Sequence, residues 1–329
     1  MTPAHPCPAP LPAARHTGRR GRIPKQAAQA ALAAALLVAG PVQAGTGKLL
    51  LTGGVSTVDG AAGGGLTPWA VIGTQATEGQ VGASAFASRA VTRDYALTVA
   101  GAAFAWNNRL ELSLAQQALG TGVTGRALGL PGLRLRQNIV GLKLRVAGDA
   151  VLDSDTWRPQ VAVGLLSKRL QDNGLSPTLN ALGARQRDTE AYVSATKLFL
   201  AQGLLVNTTL RLTRANQGGL LGHGAEIAGV VDDRGYSLQP EVSVAWLLNR
   251  RLAVGFEWRS MPDKLRRAGE IAGLGSGLKG EDWKDLFIVW APSPHLSLTA
   301  AWVDLGQVVP ATTEQRRQTG AYLSAQIAF

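Results

Sequence analysis

The chain has 329 residues, of which 46% are hydrophobic and 17% charged, with 40 glycines and one cysteine. This composition excludes a disordered chain, which needs fewer apolar and more charged residues, and a disulfide scaffold, which needs paired cysteines. Beyond residue 40 no apolar run approaches the roughly 20 residues of a membrane-spanning helix. A glycine-rich, all-β chain is therefore indicated.

The first 44 residues have the pattern of a secretory signal peptide. A basic region precedes an apolar stretch from Ala27 to Gly40, and the small-residue sequence Val42-Gln43-Ala44 predicts cleavage after Ala44. The apolar stretch is too short to cross a bilayer as a helix. The cysteine, Cys7, is lost with the signal, so the predicted mature chain contains no thiol.

Much of the formal charge of +11 belongs to this signal. It holds five of the 33 basic residues and none of the 22 acidic ones, so residues 45–329 carry +6. Because this charge is dispersed and the chain is predicted to be exported, nucleic acid is not an expected partner.

Residues 45–79 form a glycine-rich segment without the clean alternation of a full strand. Glycine permits close backbone approach and unusual dihedral angles. We consider three arrangements for this segment: a plug folded into a barrel lumen, a thirteenth strand, or a loose periplasmic arm.

From residue 80 onward the apolar residues alternate with polar ones, which is the two-residue period of β-strands. Leu252, Val254, Phe256 and Trp258 share one face, for example, and Glu257 and Arg259 lie on the other. Twelve strands are predicted, near 80–89, 95–105, 109–119, 133–147, 158–170, 190–201, 203–215, 236–248, 251–261, 283–292, 295–305 and 317–329.

The connections between these strands alternate between short and mostly long. Short turns at one end and long loops at the other are typical of outer-membrane β-barrels with both termini on the periplasmic side. We therefore predict a transmembrane antiparallel β-barrel over residues 80–329, located in the cell outer membrane and following the signal and the glycine-rich segment.

The end of the chain supports this assignment. Apolar residues occur at every second position up to the terminal Phe329, which resembles the terminal strand by which outer-membrane barrels are recognised for insertion. The barrel-assembly machinery is thus an expected partner. The predicted insertion signal comprises Tyr322, Leu323, Ala325, Ile327 and Phe329.

Four stretches carry a resemblance to a known family: residues 47–56, 63–70, 158–164 and 296–306. Together they span the predicted mature chain, which resembles an uncharacterised family of Gram-negative secreted proteins, the domain of unknown function 3034. The resemblance implies an outer-membrane barrel without an assigned activity, and it transfers no catalytic residue.

Charged residues on the predicted inner face are the candidate site. Charges facing a barrel lumen are tolerated because water or opposite charges meet them there. They either form a salt-bridged ladder that stiffens a narrow barrel or line a pore that selects solutes by charge. These residues are Glu111, Lys143, Arg145, Arg211, Glu241, Glu257 and Arg259.

Basic residues in the predicted outer loops are candidates for contact with lipopolysaccharide, whose phosphates suit arginine. The alternative is a charged loop that is merely solvated. The residues are Arg185, Arg187, Lys264, Arg266 and Arg267.

Catalytic and metal-binding chemistry is not indicated. His295-Leu296-Ser297 is similar to the His-x-Ser pair of the outer-membrane phospholipase, but it follows a short turn and is interpreted as a turn histidine. Two separated histidines and no mature cysteine argue against a transition-metal site, and no cofactor is expected.

The sequence therefore predicts a passive outer-membrane channel for small polar solutes, with anions favoured by the charge of +6. The alternative is a non-conducting structural or surface-interaction barrel, closed by its own N-terminal segment.

Overall fold

The computed structural model describes residues 48–329, and its main feature is a closed antiparallel β-barrel of twelve strands. The twelve-stranded barrel predicted from the sequence is confirmed. The strands are β1 (Val81–Thr92), β2 (Ala96–Trp106), β3 (Leu110–Gly120), β4 (Arg134–Ala147), β5 (Gln160–Leu170), β6 (Arg187–Phe199), β7 (Leu204–Thr213), β8 (Ser237–Asn249), β9 (Leu252–Arg259), β10 (Trp283–Ser293), β11 (Leu296–Asp304) and β12 (Thr319–Ala328). The predicted signal peptide lies outside the described residues.

Each strand pairs with its neighbours in sequence, and β12 closes the barrel against β1. Ala325 of β12 lies opposite Ala87 of β1 in this closing pair. Closure leaves no strand edge with unpaired backbone groups, which is the condition for a sheet to stand in a bilayer.

The predicted strand limits differ most at β6. This strand begins at Arg187 rather than at residue 190, so Arg187 lies on the barrel wall and its assignment to a loop was wrong. The physical reason is that Arg169 of β5 pairs directly with Arg187, which extends the ladder by one further row beyond Asp188.

One end of the barrel carries short connections and is called the turn end. The other end carries mostly long connections and is called the loop end, although β1 and β2 are joined there by three residues only, 93–95. The loops contain three short helices, α1 (Gly122–Ala127), α2 (Ser176–Ala181) and α3 (Arg266–Ile271). Three 3₁₀ turns lie at Leu200–Gln202, Asn216–Gly219 and Pro310–Thr312.

The described residues contain no helix that is long and apolar enough to span a membrane.

The two faces of the barrel wall are reversed relative to a soluble protein. Leu114 on the outside is 53% exposed, whereas Lys143 and Arg211 on the inside are each 1% exposed. Long charged side chains are almost never fully buried unless they are paired. The strand alternation therefore directs apolar side chains to lipid and charged ones to the lumen.

Outward tryptophans lie near both ends of the apolar surface. Trp106, Trp246 and Trp290 are exposed towards the turn end, and Trp302 is exposed towards the loop end. Tryptophan prefers the boundary between lipid and water, so these positions mark the two borders of the membrane-facing band.

Candidate functional site in the barrel lumen

The lumen is filled by the chain itself. Residues 52–74, called the inner segment, are almost entirely buried inside the barrel. A short hairpin, Val55–Ser56 with Ala62–Gly63, is the regular element of its first half. The inner segment therefore forms neither a thirteenth barrel strand nor a loose arm in this structure.

Glycines let the inner segment approach the barrel wall closely. A side chain at Gly64 would overlap with the carboxylate of Glu257, and one at Gly63 would overlap with the carbonyl of Thr67. Glycine is the residue that tolerates such approach, since it lacks a Cβ atom. The richness in glycine thus reflects how tightly the inner segment is packed.

Wall carboxylates bind the backbone of the inner segment directly. Glu257 accepts hydrogen bonds from the amide nitrogens of Leu66 at 2.7 Å and Thr67 at 3.1 Å, and from the Thr67 hydroxyl. A buried amide or hydroxyl group without a hydrogen-bond partner is costly, so these contacts stabilise the inner segment where it lies. Glu257 therefore serves as an anchor for the middle of the inner segment.

A second anchor is the buried pair of Glu111 and Lys143, whose charged atoms are 3.2 Å apart. Glu111 accepts hydrogen bonds from the amides of Ala62 at 2.9 Å and Gly73 at 2.7 Å. Lys143 donates to the carbonyls of Ala62 and Val71, both at 2.9 Å. One ion pair of the wall thus holds two distant points of the inner segment.

Asp59 of the inner segment enters a buried network of charges. Its carboxylate lies 3.0 Å from Lys168 Nζ, 3.0 Å from Arg259 Nη1 and 3.4 Å from Arg211 Nη1. Burial alone raises the pKa of Asp59, but Lys168, Arg259 and Arg211 outweigh it and hold this pKa well below its usual range. Asp59 is therefore ionised in the folded barrel.

Two wall carboxylates complete this network. Glu190 lies 2.8 Å from Arg211 and 3.2 Å from Lys168, and Glu241 pairs with Arg211. With Asp59, three carboxylates face three cations, and each of the six side chains is at most 3% exposed. The wall on its own has three cations and two carboxylates here, so Asp59 supplies the balancing charge.

Nearer the turn end, the contacts between wall and inner segment are apolar. Val55, Trp69 and Val71 pack in one cluster with inward side chains of the wall that include Leu205 and Phe287. Two gaps beside the inner segment have volumes of about 30 and 20 Å³, which is room for one or two water molecules. Neither gap admits a solute.

A loop closes the lumen from the opposite end. The carbonyl of Gly218 accepts hydrogen bonds from Gln137 Nε2 and Lys168 Nζ, both at 3.1 Å, while Gln217 accepts one from Trp283 Nε1 at 3.2 Å. Lys168 therefore contacts both Asp59 of the inner segment and Gly218 of the loop. Residues 216–224, called the outer lock, are all buried.

The predicted lumen residues are placed as follows. Glu111, Lys143, Arg211, Glu241, Glu257 and Arg259 are buried on the inner face. Arg145 is not among them. It lies at the turn end, where its guanidinium pairs with the Asp149 carboxylate at 2.6 Å.

The sequence analysis did not predict three members of the central network, which are Asp59, Lys168 and Glu190. Asp59 is the one acidic residue between positions 45 and 77, and Lys168 and Glu190 follow the inward phase of their strands. The isolated charge in an apolar segment could have identified Asp59. The alternation of inward and outward side chains along a strand could have identified Lys168 and Glu190.

The predicted loop arginines have different environments. Arg266 pairs with Glu270 within α3 at 3.0 Å, Arg267 is exposed beside it, and Lys264 is half-buried before that helix. The backbone of exposed Arg185 pairs with His223 of the outer lock.

The predicted insertion signal lies on β12. Leu323, Ala325, Ile327 and Phe329 face outward, while the Tyr322 hydroxyl donates to Ser88 inside the barrel at 3.0 Å. The backbone of Phe329 is tied to Ala83 of β1 by hydrogen bonds of 2.8 and 3.2 Å.

The histidine of the His-x-Ser sequence is held by the chain terminus. His295 Nδ1 lies 2.9 Å from the Ala328 carbonyl oxygen, and its ring stacks on Phe329 with a centroid distance of 5.2 Å. Among the described residues, no group of three or more His, Cys, Asp or Glu side chains could hold a metal ion.

Comparison with known families gives one match that covers most of the chain. The family described as "Protein of unknown function (DUF3034)" matches residues 52–326. The chain belongs to this family. The match begins at the start of the inner segment, so the family pattern includes the inner segment as well as the barrel.

A search of the curated proteins found no significant match. Among solved structures, the chain is similar to the KdgM porin, with 7% identity, a TM-score of 0.44 and coverage of 75% of this chain and 99% of that one. It is also similar to the NanC porin, with 9% identity, a TM-score of 0.46 and coverage of 74% and 98%.

A third similar structure is outer membrane phospholipase A from Escherichia coli, with 11% identity, a TM-score of 0.39 and coverage of 74% of this chain and 92% of that one. The fold assignment rests on the closed strand pairing of this barrel itself.

Proposed function

We propose that this protein is an outer-membrane barrel that its own inner segment keeps closed, so that the folded chain does not conduct ions. The observation that carries this proposal is the position of Asp59, which neutralises Lys168, Arg211 and Arg259 at the centre of the lumen. A segment whose carboxylate completes a buried charge network is held in place by the cost of leaving that network unbalanced.

Placement in the outer membrane is supported by the wall itself. The outward faces of the strands carry exposed large apolar residues, and the inward faces carry the charged ones. The turn end, where residues 80 and 329 both lie, is on the periplasmic side in this proposal. The alternating connections agree with that orientation.

A second function, conduction of anions by an opened barrel, is favoured by one specific observation. When the inner segment leaves, Lys168, Arg211 and Arg259 face only Glu190 and Glu241. These five side chains, counted without Glu257 and Asp285 on the same inner face, then carry an excess of one positive charge. Charged rings of this kind select the ion of opposite sign.

The two functions are separated by single-channel recording in a planar bilayer under a salt gradient. We compare the chain from residue 45 with a chain that lacks residues 45–78, whose barrel strands begin at Val81. We expect silence from the longer chain and discrete, anion-selective steps from the shorter one. Steps of equal size from both chains would refute closure by the inner segment, and silence from both would refute the anion channel.

A chemical probe tests closure without removing any residue. The predicted mature chain has no cysteine, so single cysteines report accessibility without background. Ala61 in the inner segment is 2% exposed, and Leu152 at the turn end is 80% exposed. We expect a maleimide to label L152C quickly and A61C slowly in the folded barrel. Equal labelling rates would contradict a filled lumen.

A further inference from the structure

The outer wall of the barrel carries a row of polar side chains at the border of its apolar surface. Gln116, Asn138, Arg169 and Arg187 lie directly opposite one another across β3, β4, β5 and β6. All four are exposed and face outward. We call these four residues the arginine row.

The charges of the arginine row have no counter-charge among the described residues. Within the described residues, no carboxylate oxygen lies within 4.0 Å of a guanidinium nitrogen of Arg169 or Arg187. The acidic neighbour in sequence, Asp188, is engaged with Arg214 at 2.9 Å and with Tyr236 at 3.0 Å. Like charges directly opposite each other in a sheet destabilise it, so this pair calls for an anion from outside.

Two further arginines lie beside the arginine row. Arg136 and Arg134 occupy the next two outward positions of β4, on the loop-end side of Asn138, and neither has a carboxylate partner among the described residues. By contrast, Arg214, Arg234, Arg316 and Arg317 near the same end each form ion pairs. Four arginines without an ion pair among the described residues thus lie together on β4, β5 and β6, and two further ones, Arg89 and Arg93, lie on and just after β1.

On the turn-end side, the next outward row consists of Leu114, Val140, Ser167 and Thr189, and the surface beyond it is apolar. Val140, Leu142, Leu165 and Val193 continue the same outward faces and are all exposed. An anion at the row therefore has hydrocarbon on one side and the polar loop end on the other. This combination fits an amphiphile whose headgroup bears phosphate, because arginine binds phosphate through two parallel hydrogen bonds.

We infer that the arginine row is a binding site for the phosphorylated headgroup of an outer-leaflet glycolipid, the lipid A part of lipopolysaccharide. This inference rests on the proposed orientation, which places the loop end in the outer leaflet. It moves the contact with lipopolysaccharide from the loops, where Arg266 is engaged with Glu270, to the barrel wall.

The test is native mass spectrometry of the folded chain from residue 45, in detergent, titrated with lipid A. We compare R169Q/R187Q with R250Q/R251Q, which removes two exposed arginines from the β8–β9 turn at the opposite end. We expect R169Q/R187Q to weaken lipid A binding by about tenfold or more, and R250Q/R251Q to leave it within about twofold.

Three results would overturn the inference. They are unchanged affinity of R169Q/R187Q, an equal loss in R250Q/R251Q, and displacement of lipid A by inorganic phosphate at matched concentration, which would indicate a site for free anions. Two ligands are also compared, lipid A and monophosphoryl lipid A. If they bind R169Q/R187Q equally tightly but do not bind the wild type equally tightly, the result would support the row as the phosphate contact. Because binding is measured without a bilayer, it does not depend on whether the lumen conducts.

A second measurement guards against misfolding of the variant. Lipid A should raise the temperature at which the folded band is lost in gel electrophoresis for the wild type and R250Q/R251Q, but not for R169Q/R187Q. Without lipid A the three chains should unfold at similar temperatures. An equal rise for all three chains would contradict the proposed site.

Discussion

Arginine side chains on the inner and outer faces of the barrel differ in burial and in ion pairing. Inside, Arg211 is buried and contacts Asp59, Glu190 and Glu241. Outside, Arg169 is exposed and faces another arginine, Arg187, with no carboxylate partner in the described chain. The inner arginine is neutralised within the protein, whereas the outer one is exposed to the surrounding medium.

This difference follows from the medium on each side. A buried charge without a counter-charge costs several kcal/mol, so the lumen must balance its charges within the protein. A charge at the lipid boundary reaches water and phosphate headgroups, so it needs no internal partner. Substitutions of the inner charges are therefore expected to have much larger effects than substitutions of the outer ones.

The largest effect is expected for D59N, which leaves Lys168, Arg211 and Arg259 facing two carboxylates. Removing one partner of a buried ion pair costs about 3–5 kcal/mol, and each 1.4 kcal/mol changes an equilibrium about tenfold. Labelling of A61C by maleimide should therefore accelerate by about 100-fold or more. The matched control is E78Q, an exposed acid just after the inner segment. Equal rates in D59N and wild type would contradict the role assigned to Asp59.

A slightly smaller but broader effect is expected for K168M. Lys168 holds both Asp59 and the Gly218 carbonyl, whereas Lys143 holds only the inner segment and Glu111. K168M should therefore speed labelling at both A61C and L220C, by about tenfold or more. K143M should speed labelling at A61C alone. An effect of K168M confined to residue 61 would show that the outer lock closes independently.

An intermediate effect is expected for G64A, because the added methyl group overlaps with the Glu257 carboxylate. Overpacking costs about 1–3 kcal/mol, so the inner segment should be labelled faster at residue 61 than in the wild type. G235A is the control, since a side chain there meets no atom within 4 Å. Similar rates for G64A and G235A would mean that the inner segment shifts to make room.

The smallest effect is expected on the outer wall. R187Q removes an exposed charge that faces Arg169. The free energy of unfolding, measured in urea without lipid A, should therefore stay within about 0.5 kcal/mol of the wild type. A decrease of several kcal/mol in the free energy of unfolding would indicate that Arg187 has a partner within the protein. It would contradict the difference proposed between the inner and outer faces.

Much of this structure follows from local pattern. The two-residue period assigns each strand residue to one of two faces, because successive side chains in a strand point in opposite directions. That rule alone places Glu111, Lys143 and Glu257 on the inner face and Leu112 and Leu142 on the outer one. The number of strands and the alternation of short and long connections were readable for the same reason.

The occupant of the lumen was not readable from the pattern. The inner segment has no long period, and its contacts join residues far apart in sequence, such as the Ser56 amide with Gln326 Oε1, 270 residues away. The sequence left a plug, a thirteenth strand and a loose arm as alternatives, since nothing local distinguishes them. Only the closed barrel decides the outcome, because closure brings distant strands around one small space.

The sequence by itself therefore determined which residues face inward and which face lipid, since that depends on backbone geometry within single strands. The tertiary structure alone decided which charges meet. It placed Asp59 among Lys168, Arg211 and Arg259, and it set Arg169 beside Arg187 without a counter-charge among the described residues. The physical reason is that charge balance in a closed barrel is a property of the whole circuit of strands and not of any one segment.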